Sequence, residues 1–139
     1  MRGGYKHNLL VEAILRTERA RGAIVYPEYR ASTPMLDGYL DLLAVTKSRR
    51  RAYEVENNLD RVRWDITKAI AFKIDELVLV FPTGCLARAA QKSVDQLRAS
   101  GKVVKLSIVC LTAGAALERI TNTPGVEAET VGSSNGKDG

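Results

Sequence analysis

Apolar and polar positions along this chain repeat with two periods, one helical and one of two residues, and the periods alternate. From Tyr5 to Arg21, Leu9, Leu10, Ala13, Ile14 and Thr17 recur at helical spacing, which predicts an amphipathic helix. Gly22 is a natural stop, and Arg19 and Arg21 suit the negative end of the helix dipole. Ala23 to Arg30 reads as a strand in which Pro27 argues for an edge or a bulge. The turn formers between Ala31 and Asp37 predict a loop. Gly38 to Val45 and the stretch from Arg51 to Asn58 read as two short strands around the polar turn Thr46 to Arg50. Leu59 to Asp75 predicts a helix that Asn58 or Asp60 can cap. Val62, Ile66, Ala69, Ile70 and Lys73 fall near its inner stripe, with Arg61, Arg63, Asp65 and Lys68 more to the other side. Trp64 reads as a partly buried anchor.

The run Glu76 to Thr83 is continuously apolar in its middle, which suits a strand covered on both faces. A helix is expected from Cys85 to Ser100, on a stripe of Leu86, Ala89, Ala90, Val94 and Leu97, and Gly101 ends it. Lys102 to Leu111 predicts the last strand, and Thr112 to Thr121 a short helix. From Asn122 the composition turns to Gly, Ser, Thr and Asn and predicts a flexible tail. The expected organisation is one domain over residues 1–121 and a tail over 122–139. Meandering early strands followed by strands joined through helical crossovers predict an α/β domain with a central mixed sheet flanked by helices.

Composition narrows the function classes. A chain of 139 residues with 45% hydrophobic and 27% charged residues is an ordinary globular domain. Its formal charge of +5 and pI near 9.4 suit a polyanionic partner. Cys85 and Cys110 have no metal-ligand spacing and lie in apolar surroundings, which predicts buried free thiols. No stretch has the apolar length of a membrane span, and no signal core follows the first residues, so a soluble, cytoplasmic protein is expected.

The chemistry concentrates on the two short strands. Asp41 interrupts Leu40, Leu42, Leu43, Ala44 and Val45, where an unpaired carboxylate would be costly. Glu54 and Glu56 flank Val55, so they share one face and Val55 takes the other. If the strands pair, Asp41 stands beside them. Carboxylates gathered on one sheet edge repel unless a cation sits between them, and hard oxygen ligands suit Mg2+ or Mn2+. Glu12 can join the site or pair with Arg16 one turn on. The lone His7 reads as a surface residue.

Gly38, Tyr39, Leu40 and Asp41 resemble the Gly-x-x-Asp strand of the PD-(D/E)XK nuclease superfamily, and Glu54, Val55 and Glu56 resemble its Glu-x-Lys strand. The predicted order, helix, three strands, helix, strand, is similar to that superfamily's restriction-endonuclease-like core. The small size and Glu12 look most like the Holliday-junction-resolvase-like nucleases of archaea and viruses. The resemblance implies a Mg2+-dependent endonuclease, with Mn2+ as substitute, acting on DNA as a homodimer. It implies that Asp41 and Glu54, joined by the carbonyl of Val55, hold the metal. Glu56 then takes the proton of the attacking water or holds a second ion, and Glu12 reaches the metal through water. Glu56 stands where the superfamily usually has lysine, and Lys68 on the following helix is the substitute lysine, with Lys73 behind it. Arg49, Arg50, Arg51, Arg61 and Arg63 are the candidate contacts to the DNA backbone.

The exchange of lysine for Glu56 motivates a second reading, a catalytically inactive DNA-binding or assembly module on the same fold. A third reads the acidic strand residues as structural parts of a small protein-interaction domain, with Glu54 and Glu56 on a solvent face paired to Arg49 or Arg51.

Overall fold

The computed structural model describes residues 4–101 and 105–123. Its elements run α1 (Tyr5–Ala20), β1 (Ile24–Ser32), β2 (Asp37–Val45), β3 (Arg50–Val55), α2 (Val62–Ala71), β4 (Glu76–Phe81), α3 (Gly84–Ala99), β5 (Ser107–Thr112) and α4 (Ala113–Asn122). This is the expected order. Residues 102–104 of the last predicted strand and 124–139 of the predicted tail lie outside the described residues.

The five strands form one mixed sheet in the order β1-β2-β3-β4-β5. The first three meander antiparallel, and β3, β4 and β5 run parallel through the crossover helices α2 and α3. Both crossovers advance in the same direction and place their helices on one face. There Val62, Ile66 and Ala69 of α2 and Ala87, Ala90 and Val94 of α3 pack on Leu43, Ala52, Leu77, Leu79 and Phe81. On the other face Ile14 and Leu15 of α1 and Ala116 and Ile120 of α4 cover Leu42, Ala44, Tyr53, Val78 and Val80. β4 is buried along its whole length, as its unbroken apolar run predicts. Pro27 lies on the edge strand β1, where a residue without an N–H is tolerated best.

Helix ends follow from local chemistry. Gly22, at φ 97°, closes α1, and Ala23 N–H donates back to Glu18 O at 3.2 Å. Lys73 performs the same turn after α2 at φ 58°, with Ile74 N–H on Ala69 O at 2.9 Å. The predicted second helix is thus shortened at both ends, and Lys73 belongs to an exposed turn instead of the buried stripe. Cys85 is exposed, contrary to expectation, while Cys110 is buried; both thiols are free.

The β1–β2 ribbon changes face partway along. Val25 and Leu42 lie with the α1 side, yet Leu40 and Tyr29, an even number of residues away, lie with the α2 side, although an even step keeps the face of a regular strand. The switch falls where the ladder skips Glu28 and Asp41, between Pro27↔Leu42 and Tyr29↔Leu40. Glu28 takes a left-handed φ of 48° there. Asp41 therefore sits at a break in the pleat, turned edgewise toward β3.

A buried ion network ties the α1–α4 face together. Arg51 donates to Glu76 at 2.7 Å and to Glu18 at 2.9 Å, Arg119 donates to Glu76 at 2.6 Å, and the Tyr53 hydroxyl bonds Glu18. Burial alone would raise the Glu76 carboxyl, but the hydrogen bonds from Arg119 and Arg51 hold it below its usual 4.5. Its contribution is therefore present above the unfolded value and lost as pH falls through the depressed folded one. Glu76→Gln is expected to cost about 1–3 kcal/mol near neutral pH, below the range for fully buried pairs because Arg119 is partly exposed. Denaturant melts of the two proteins check this; the difference should shrink in acid, and curves that stay parallel down to acid would refute the assignment.

A candidate metal centre at the end of strand three

β2 and β3 pair from Val45↔Arg50 to Leu42↔Tyr53, and there the ladder ends. Continuing the register sets Asp41 opposite Glu54, but side chains take over from backbone at this point. Asp41 N–H donates to Glu54 Oε1 at 3.2 Å, and Val55 N–H donates to Asp41 Oδ2 at 2.8 Å. β3 instead continues along β4, with Glu56 N–H on Val80 O at 2.9 Å. The fork between β2 and β3 opens at the carboxyl end of a parallel strand, where open α/β sheets usually bind ligands.

Glu54 and Glu56 face α2, and α2 answers with two polar residues from its inner stripe. Asp65 and Lys68 are buried with Val62, Ile66 and Ala69, while Ile70 is exposed. This corrects the assignment of Asp65 and Lys68 to the outer side of the helix. One carboxylate oxygen from each of Glu54, Glu56 and Asp65 lies within 4.8 Å of the others. Exposure is 0% for Glu54, 7% for Glu56, 0% for Asp65 and 1% for Lys68. The reading of Glu54 and Glu56 as solvent-facing partners of Arg49 or Arg51 is therefore overturned.

Lys68 Nζ lies 2.6 Å from Glu54 Oε2 and 3.7 Å from Asp65 Oδ1, and donates to Tyr39 O at 2.6 Å. Its stem passes against β2 at Gly38, where an added Cβ would meet Lys68 Cδ at 3.3 Å. The smallness of Gly38 thus serves the lysine. Trp64 lies beside the ammonium, 5.9 Å from ring centroid to Nζ.

Charge in this pocket is unbalanced. Were Glu54, Glu56 and Asp65 all ionised, Lys68, their ion-pair partner among the described residues, would leave two negative charges unmatched. Both Asp65 oxygens lack a hydrogen-bond donor, and Glu54 Oε2 meets Lys68 outside hydrogen-bond geometry. Burial, with Asp41 adding to it against the pull of Lys68, pushes the Glu54 carboxyl up to about 7. Burial and the facing Glu56 push Asp65 up to about 10. Two protons or one divalent cation would balance the pocket, and an all-oxygen donor set suits Mg2+ or Mn2+. The residues fit such an ion by their chemistry and by their orphaned oxygens.

The remaining predicted residues are distributed unevenly. Asp41, 2% exposed, touches Glu54 through its amide. Val55 turns its N–H to Asp41. His7 departs from the surface reading: its Nε2 lies 3.1 Å from Asp41 Oδ2. Glu12 pairs with Arg16 at 2.8 Å, on the rim of a cleft of about 240 Å³ that His7, Glu28 and Asp41 also line. Arg61 and Arg63 are exposed at the start of α2, where Arg63 lines a cleft with Ser93 and Gln96 of α3. Arg49 precedes β3 and Arg50 and Arg51 begin it, about 10–17 Å of strand from Glu54. Arg51 is held by Glu18 and Glu76, and Arg50 donates to Phe72 O at 2.9 Å, so structural partners occupy both. Asp65 escaped the sequence reading, although its place three residues after Val62 and one before Ile66 sets it on the apolar stripe.

No family model and no curated protein matches the chain. Among solved structures it is similar to the crystal structure of a protein of unknown function, AF1548, with a TM-score of 0.53 and 12% sequence identity. The likeness covers 73% of this chain and 57% of that one, so this chain spans little more than half of that protein's length. It is a likeness of fold. Among the described residues no helix is long and apolar enough to cross a membrane.

The raised Asp65 has a testable sign. The unfolded carboxyl loses its proton near 3.8 and the folded one near about 10. The native state then binds the extra proton between these values, and stability falls as pH rises through the window. Without metal, Asp65→Asn should flatten this fall and melt higher than the native protein at the alkaline end of a series from about pH 5 to pH 9. Melting curves that shift equally with pH in both proteins would contradict the assignment.

Proposed function

We propose that this protein is a divalent-cation-dependent endonuclease of the PD-(D/E)XK type that hydrolyses DNA phosphodiester bonds. The observation that carries the reading is the buried group Glu54, Glu56 and Asp65, whose charge Lys68 alone leaves unmatched. Glu54 and Asp65 would hold Mg2+ or Mn2+ between β3 and α2. Such an ion, when bound, lowers the pKa of a coordinated water and offsets charge on the phosphate. Glu56, the least buried of the three, is placed to accept the proton of the attacking water. Asp41, held by Val55 N–H and His7, braces Glu54 through its own amide. Lys68 supplies positive charge where the scissile phosphate gains negative charge. Exposed Arg61 and Arg63 offer backbone phosphate contacts, which carry affinity and little sequence information.

The proposal includes a homodimer. Exposed Ile24 and Tyr26 on the edge strand, and Met35 and Ile70, which line one cleft, offer apolar surface for it. Branched or junction DNA is the substrate that the resemblance suggests. One observation favours the inactive-module alternative: an ammonium already sits on Glu54.

Cleavage of single-stranded, duplex and four-way-junction DNA with Mg2+ or Mn2+ separates the readings. The native protein should cut, chelation should stop it, and Asp41→Ala and Glu54→Ala should bind DNA but cut at least about 100-fold more slowly. DNA binding without cutting by the native protein would leave only the inactive module.

A further inference from the structure

Lys68 is in an unusual position for a residue that meets a substrate. Its ammonium is 1% exposed and is held from three sides: by Glu54 Oε2 at 2.6 Å, by the Tyr39 carbonyl at 2.6 Å and by Asp65 Oδ1 at 3.7 Å. Gly38 leaves room for its stem and Trp64 lies beside its head. It therefore occupies the space between Glu54 and Asp65 that a divalent ion would need. An ammonium and a divalent cation cannot share that space, because like charges at such separations repel strongly in a poorly solvated pocket.

We propose that Lys68 is the resident counter-ion of this site, and that a divalent cation enters as Lys68 transfers from Glu54 to a substrate phosphate. This rests on the metal reading above. The exchange improves the charge balance of the pocket. Without substrate, one ammonium partly neutralises the carboxylates and keeps the pocket folded. With a phosphate present, the ammonium follows the new anion, Glu54 is released, and two positive charges replace one against three carboxylates. Tyr39 O is the pivot, since a backbone carbonyl can keep one of the three ammonium donors while the other two change partners. Metal and nucleic acid then bind with positive coupling, and each raises the affinity for the other by the same factor. The site stays largely metal-free until DNA arrives.

Calorimetric titration of the full chain with Mn2+ tests this, with thermal melts alongside. Lys68→Met keeps the stem and removes the charge. It should melt below the native protein without metal, take up Mn2+ at least about tenfold more tightly, and gain more in melting temperature from Mn2+. In a second arm, a phosphorothioate-linked DNA oligonucleotide, which resists hydrolysis, should tighten Mn2+ binding by the native protein after correction for Mn2+ held by the DNA alone. Lys68→Met affinity equal to or weaker than native overturns the proposal, and so does a native affinity that the oligonucleotide leaves unchanged. If Lys68→Met does not fold, the oligonucleotide arm alone decides. Glu54→Gln separates the two layers. Mn2+ uptake that Glu54→Gln abolishes, without the Lys68 effects, keeps the metal site and rejects the gate. No uptake by any of the proteins, with or without oligonucleotide, overturns both.

Discussion

The arrangement at the end of β3 depends on one constraint: buried carboxylates must find positive charge or protons. Bringing an ion out of water costs several kcal/mol even after the protein relaxes. Among the described residues, Glu54, Glu56 and Asp65 are gathered with Lys68 alone to oppose them. The surrounding structure serves that grouping. β2 breaks its pleat at Asp41, β3 leaves β2 to follow β4, Gly38 stays small for the lysine stem, and α2 turns two charged residues into the core. An apolar set of residues at these positions would pack more simply.

A contrast within the molecule separates structural from chemical use of buried charge. On the α1–α4 face, Glu18 and Glu76 each receive donors from arginine, and Tyr53 adds another. That network is nearly closed on itself and joins α1, β3, β4 and α4. On the α2 face, Asp65 has two oxygens without a donor, and Glu54 has one without a well-aligned one. Closed networks hold elements together; open ones leave capacity for a ligand. Arg51 belongs to the first kind, which is why its proximity in sequence to Glu54 does not make it part of the site.

Much of the fold was legible because each element declares itself locally. The unbroken apolar run of β4, the glycine after α1 and the crossover lengths suffice for an α/β order. Asp41 and Glu54 were legible as anomalies in apolar strands. Lys68 entered only through the resemblance and Asp65 not at all, because a charged residue on a helix reads as outward by default, even where, as for Asp65, its spacing from Val62 and Ile66 sets it on the apolar stripe. The helix axis is rotated enough to expose Ile70 and bury Lys68, a choice made by tertiary contact with Glu54 and Tyr39 O and not by propensity. His7 was missed for a related reason, since its partner Asp41 is distant in sequence. The arginine turn failed in the opposite sense: its charge density is real, but Arg50 and Arg51 are spent on partners at the far end of β3.

The most direct test of the central claim is anomalous diffraction from crystals equilibrated with Mn2+ and a short hydrolysis-resistant oligonucleotide. The account predicts a peak between β3 and α2, within coordination distance of oxygens of Glu54 and Asp65, with the Lys68 ammonium moved off Glu54 toward a phosphate. An empty pocket, with Lys68 still against Glu54 and protons shared among the carboxyl groups, would contradict it.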